Sequence, residues 1–295
     1  MSGSRIVAGP LPILAASVLW GTTGTVASFA PAGADAAAVG SAGLVLGGLL
    51  LMLTTRGSLR LVTGAAPRRK GPLALGAVAV VGYPVTFYPA VAMTGVAVTT
   101  VVALGSAPVF AGLIAWRLGQ GRPSARWMWA TCAAVAGCAA LVLGPALDAA
   151  GARVELFGVA LALVAGASYA GYSLVAGRLI ADGEDSGAVV GAMFGAAAVL
   201  ALPVVLVAGP GWLVSARGAS VAVYLAFFTC FLAYRLFGVG LRNTSDQTAT
   251  VLTLAEPAVA ALLGVLVLNE YLPALSWAGL VVLALALAAL TTSDR

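Results

Sequence analysis

Ten apolar runs occupy the chain, at about 10–30, 36–55, 71–92, 95–116, 127–145, 156–179, 187–208, 220–241, 247–268 and 272–291. Each approaches the roughly 20 residues that a helix needs to cross a bilayer core. Barrel strands would read as shorter segments of alternating character; these runs are long and continuous. Glycine and proline recur inside them, which membrane helices tolerate better than soluble ones. The joins are mostly tight, so no soluble domain fits between spans. The pattern predicts an all-α integral membrane protein of ten transmembrane helices.

Composition agrees. Of 295 residues, 61% are hydrophobic and 8% charged, against about 25% charged in a soluble chain. The mean hydropathy is +1.06. So few charges cannot cover a water-facing surface, and the main partner is the lipid bilayer. The net charge of +5 does not point to nucleic acid, because the charges follow topology. With the N-terminus in the cytoplasm, the inside receives Arg5, Arg56, Arg60, Arg68, Arg69, Lys70, Arg117, Arg122, Arg126, Arg178, Arg242 and Arg295. The outside receives only Arg153 and Arg217, and Arg235 is left within a span. This bias orients the chain by the positive-inside rule. It predicts a multi-pass protein of the inner or plasma membrane with both termini cytoplasmic. Arg5, the first run and the small residues near Ala30 have some character of a secretory signal, but the repeat described next makes that run part of the bundle.

At an offset of 149 residues, Pro108 meets Pro257, Thr99 meets Thr248, Ala111 meets Ala260 and Leu113 meets Leu262. "LAASVLWG" (14–21) meets "LVAGASYA" (163–170), which sets Trp20 opposite Tyr169. The chain therefore divides into two five-span repeats, 1–145 and 146–295, within one membrane domain. Five is odd, so the second repeat enters the membrane inverted. The basic loops near 56–70 and 117–126 then lie inside, while their counterparts near 205–219 and 266–275 carry only Arg217. Inverted repeats of this kind are typical of secondary transporters, with the site near the midplane at the repeat interface.

"LWGTTGTVA" (19–27) and "TATVLTLAEPAVAALLGVLVLNEYLPALSWAGLVVLALAL" (248–287) resemble EamA-like members of the drug/metabolite transporter superfamily. The Glu-Pro pair followed by an apolar run and "NE" carries most of the likeness, and "TTVVALGSAPVFAGLIAW" (99–116) is its first-half equivalent. The resemblance runs end to end. It implies a ten-helix fold around a central cavity and export of small metabolites, often amino acids. Two positions depart from the family pattern. Gly43 stands where an arginine is expected early in the second span, and Arg235 stands where a small or apolar residue is usual.

An intramembrane charge costs at least ~2.5 kcal/mol at a helix centre, so Glu256 and Arg235 are the first candidates for chemistry. Counting from the turn near Asn243–Thr244, their depths differ by about four residues, or roughly 6 Å. A pair or shared polar network is expected, either as a structural tie or as a patch that meets a zwitterionic substrate; proton coupling through Glu256 is a third role. Pro257 should free the carbonyl of Thr253, which is tolerable only beside protein or a wet cavity. Pro108 and Pro257 thus mark helix breaks at midplane.

Pro84 and Pro89 should bend the third span. Tyr83 and Phe87 lie four apart on one face, with Tyr88 pointing elsewhere. Trp20, Tyr169 and Tyr172 come from the two repeat-related helices. Together with Thr23, these residues are the substrate-binding candidates: Trp20, Thr23, Tyr83, Phe87, Tyr169, Tyr172, Arg235 and Glu256. Aromatic walls suit apolar bodies and hold ammonium groups by cation–π contact; core packing is the plain alternative. Trp116, Trp127, Trp129, Trp212 and Trp277 fall near span ends, where an interfacial belt is expected. The ridges Gly43/Gly47 and Gly187/Gly191/Gly195 permit close helix approach, within the bundle or at a dimer face. "GEDSG" (183–187) should cap the seventh span.

Cys132, Cys138 and Cys230 all fall inside spans as small packing residues. There is no CxxC and no histidine, which removes histidine-based metal sites and Ser-His-Asp or Cys-His catalysis. No metal or cofactor is expected. A Walker motif GxxxxGK[ST] is absent, so ATP is not the direct driver. The leading reading is a secondary transporter that exports a small amino-acid-like or amphipathic metabolite by alternating access, as a monomer or a homodimer. An uncoupled facilitator or pore of the same fold is the alternative. A membrane-embedded enzyme would need clustered catalytic groups near one membrane face, and none is visible.

Overall fold

Short polar residues start the helices. Asp35 accepts from the Ala38 N–H (3.0 Å), Asp185 from Ala188 (2.9 Å), Ser215 from Gly218 (3.0 Å) and Ser245 from Thr248 (3.2 Å), each satisfying an orphan donor of the first turn. In the computed structural model, which describes residues 9–64, 67–94, 96–119, 123–148, 155–207, 209–269 and 271–291, the described residues form ten long helical segments, besides short helices at Ser58–Thr63 and Pro210–Val214: α1 (Pro10–Ala27), α2 (Ala36–Thr54), α3 (Pro67–Thr94), α4 (Val96–Arg117), α5 (Ala125–Asp148), α6 (Leu156–Ala181), α7 (Ser186–Val207), α8 (Ala216–Leu241), α9 (Asp246–Leu268) and α10 (Ala274–Thr291). Among the described residues nine helices are long and apolar enough to cross a membrane, and a shorter apolar helix, Ala38–Thr54, lies within α2. Each apolar run of the sequence corresponds to one segment. Arg5, Arg122, Arg153, Glu270 and Arg295 lie outside the described residues.

Three segments are irregular. α1 turns at Thr22, between Pro10–Gly21 and Thr23–Ala27. α8 is wound as π-helix over Leu225–Leu232. α9 breaks at Thr253–Leu254, just before Glu256. The break expected at Pro108 is not found: α4 is unbroken from Val96 to Arg117. α6 packs tightly there, since a side chain at Gly166 would stand 2.5 Å from the Ala103 carbonyl and 2.2 Å from Ser106 Oγ. α3 is likewise continuous through Pro84 and Pro89.

Packing follows small residues. α2 lies on α7, with Gly191 and Gly195 against Leu51 and Met52; Gly43 and Gly47 face Leu225, Ala226 and Cys230 of α8. Both ridges are thus consumed within the bundle. α5 pairs with α10 at the rim, where Gly137 meets Gly279 and Leu283. α1, α3, α6, α8 and α9 surround the centre.

Residues near the α2–α3, α6–α7 and α8–α9 joins share one end of the bundle. Arg69 pairs with Glu184 there, a role for Glu184 beyond the capping expected of its loop. Gly9 approaches Asn243 and Thr244, and Gly177 approaches Asp246. At the other end Arg217 Nε donates to the Phe29 carbonyl at 2.5 Å.

Candidate functional site

The irregular turns of α1, α8 and α9 meet at a cavity of about 250 Å³. α3 contributes Tyr83 and Phe87, four residues apart and stacked at 5.2 Å and 15°. α6 contributes Tyr169 and Tyr172 (5.1 Å apart), and α1 contributes Trp20 and Thr23. Glu256, from the first turn after the α9 break, is the one charged side chain of the wall among the described residues. Seven of the eight substrate-binding candidates are therefore brought together.

The eighth is not. Arg235 is exposed on the outside of the bundle, with its guanidinium carbon 5.5 Å from the Phe231 ring centroid. It makes no ion pair with Glu256 among the described residues. The expected pair with Glu256 fails because Arg235 faces away from the cavity around the α8 axis. One residue along a helix turns the side chain by about 100°, and the residue aimed inward is Tyr234.

The rings form a continuous chain. Tyr83 stands edge-on to Tyr169 (6.3 Å), Tyr172 to Tyr234 (6.2 Å), and Tyr234 tilts against Trp20 (4.8 Å) and Phe194 (3.9 Å). Hydrogen bonds fix several of them. Trp20 Nε1 donates to the Thr229 carbonyl inside the π-helical stretch (2.9 Å). Tyr169 OH donates to Thr253 Oγ1 (2.6 Å), at the break of α9. The hydroxyls of Tyr172 and Tyr234 lie 3.3 Å apart.

The Thr253 carbonyl, expected to be freed by Pro257, is not open. It accepts from the Glu256 N–H at 3.0 Å in a tightened turn. The break thus satisfies itself while it turns the carboxylate toward the cavity.

The sequence reading missed Tyr88, Phe194, Tyr234 and Gly40, all of which line the cavity. Tyr88 was expected to point elsewhere; instead its hydroxyl fills the space that a side chain at Gly40 would need. Phe194 carried a usable signal as the one aromatic residue of α7. Tyr234 was masked by the charge of its neighbour. A second space, of about 370 Å³, shares Trp20, Thr23, Phe87 and Glu256 and extends to Ala27, Ala30 and Ala34 at the α1–α2 join. No residue of the α6–α7 or α8–α9 join lines either space.

A ten-helix bundle with an aromatic cavity at its centre can bind a small molecule and offer it to one end. The EamA-like transporter family profile matches residues 156–292. A Bacillus subtilis (strain 168) protein described as an uncharacterized transporter, YwfM, is 35% identical over 285 residues, which cover 96% of this chain and 93% of its own. The chain belongs to the EamA-like transporter family. This EamA-like protein is accordingly a multi-pass membrane transporter. A crystal structure 18% identical to it, with TM-score 0.79 and 96% of each chain covered, shares the fold. The cavity places Glu256 and Pro257, the family-like dipeptide of the sequence, at the EamA-like bundle's centre.

Proposed function

We propose that the protein is a secondary transporter that exports a small amphipathic metabolite across the plasma membrane by alternating access. The observation that carries this is one carboxylate, Glu256, in an aromatic cavity that extends toward one end of the bundle. Export is the direction the family resemblance implies. The amino-acid-like reading needed Arg235 to meet a substrate carboxylate; with Arg235 outside the wall, amphipathic amines fit the lining better.

The two-repeat organisation, 1–145 and 146–295, belongs to the same proposal. The packing supports it by its reciprocity. α3 on α6 answers to α8 on α1, α4 on α6 to α9 on α1, and α2 on α8 to α7 on α3. α2 and α5 pair with their own counterparts, α7 and α10. At the α5·α10 contact, Gly137 faces Gly279 and Leu283 while Gly279 faces Gly137 and Leu141. A bundle of two like halves can exchange their conformations and so open its site to either side.

Glu256 also supports proton coupling, because it has no cationic partner among the described residues and is free to bind a proton and a substrate in turn. Purified protein in liposomes loaded with a mixed metabolite pool tests the reading by efflux against protein-free liposomes. Folded protein that moves nothing overturns it. A Glu256→Gln protein with full transport and unchanged pH dependence removes the proton role alone.

A further inference from the structure

The charge inventory of the cavity names its ligand. We infer that the site takes small monocations, an amine on an aromatic or alkyl body, and rejects zwitterions and anions of the same size. The inference rests on the transport reading and specifies its substrate class.

Among the described residues, the titratable side chains that line the cavity with Glu256 are Tyr83, Tyr88, Tyr169, Tyr172, Tyr234 and Cys230. None is cationic. Arg235, the one arginine of the spans' interior sequence, lies outside against Phe231. A lone carboxylate beside aromatic faces attracts an ammonium group twice, by charge and by the ring quadrupole. The same wall offers a second carboxylate no cation among the described residues, only neutral donors, several of which are already engaged. The Trp20 indole N–H is committed to the Thr229 carbonyl, and the Tyr169 hydroxyl to Thr253. The Tyr172 and Tyr234 hydroxyls face each other, so one bonds the other. A substrate carboxylate would be stripped of water without a cation to replace it, a cost that grows in a low-dielectric site. The volume, about 250 Å³, suits a body of one ring and a short chain.

The test uses three probes with one aryl body: 2-phenylethylamine, phenylalanine and 3-phenylpropionate. Binding to purified protein at neutral pH is read by calorimetry, and movement by flux in liposomes. We expect 2-phenylethylamine to bind at least tenfold more tightly than phenylalanine, with 3-phenylpropionate weaker still. Glu256→Gln should erase that order, Glu256→Asp should keep it, and Arg235→Gln should leave it unchanged; circular dichroism and melting check that each variant is folded. Phenylalanine binding as tightly as the amine, no binding of any probe, or an order that survives Glu256→Gln overturns the inference. The two readings fail separately. An amine that binds but is not moved removes transport and leaves the class. Phenylalanine moved in preference to the amine removes the class and leaves transport.

Discussion

Trp20 ties α1 to α8 through a single hydrogen bond to the Thr229 carbonyl. Trp20→Phe keeps a ring in the wall and loses that bond, so transport should fall several-fold with the fold intact, read as initial flux per folded protein. Tyr169→Phe removes the bond to Thr253 and should lower stability by roughly 1 kcal/mol, measured by melting in detergent; an unchanged melting point would show that the break is held by other contacts. Much of the wall was legible residue by residue. Tyr83 and Phe87 announce a shared face by their spacing, and Glu256 announces itself by its cost in an apolar run. What spacing could not supply was azimuth. Leu225, Thr229, Cys230 and Tyr234 of α8 share the cavity wall across and just beyond its π-helical stretch, while Arg235 points away.

At the level of elements, the α5·α10 contact is built on absent side chains. A Cβ at Gly137 would lie 2.7 Å from the Leu283 nitrogen and 2.8 Å from the Gly279 carbonyl. Those atoms are backbone and cannot swing aside. Gly137→Leu should therefore part the two helices and cost about 1–3 kcal/mol, seen as a lower melting temperature. The same change at Gly24, where no atom lies within 4 Å of the added Cβ, is the neutral comparison. The helices themselves were legible because lipid demands a length and a composition. Their interruptions were less so. Proline was read as a break in two places, yet α4 runs on through Pro108 where α6 packs closely on it, and α9 breaks where the Thr253 side chain has Tyr169 to bond. Proline permits a break; tertiary partners decide it.

At the scale of the whole molecule, orientation and opening make one prediction. In a cysteine-free background, Gly211→Cys in the α7–α8 join should react with a membrane-impermeant maleimide on intact cells. Gly183→Cys in the α6–α7 join should react only after permeabilisation. The opposite pattern would invert the charge-based orientation. Ala30→Cys, beside the open part of the cavity, should react from outside, and a bound substrate should slow it.

The turn at Thr253–Leu254 has an isotopic consequence. Helical amides in lipid keep their hydrogens for long times, because exchange needs both an opened bond and water. Around this turn the Leu254 and Glu256 N–H groups bond to the third residue back, the neighbouring carboxylate draws water, and Gly21 of α1 packs against the Glu256 carbonyl and Val259. Deuterium should therefore enter residues 253–256 ahead of the rest of α9. Its rate would serve as a clock for how often the centre of the protein meets the solvent on either side.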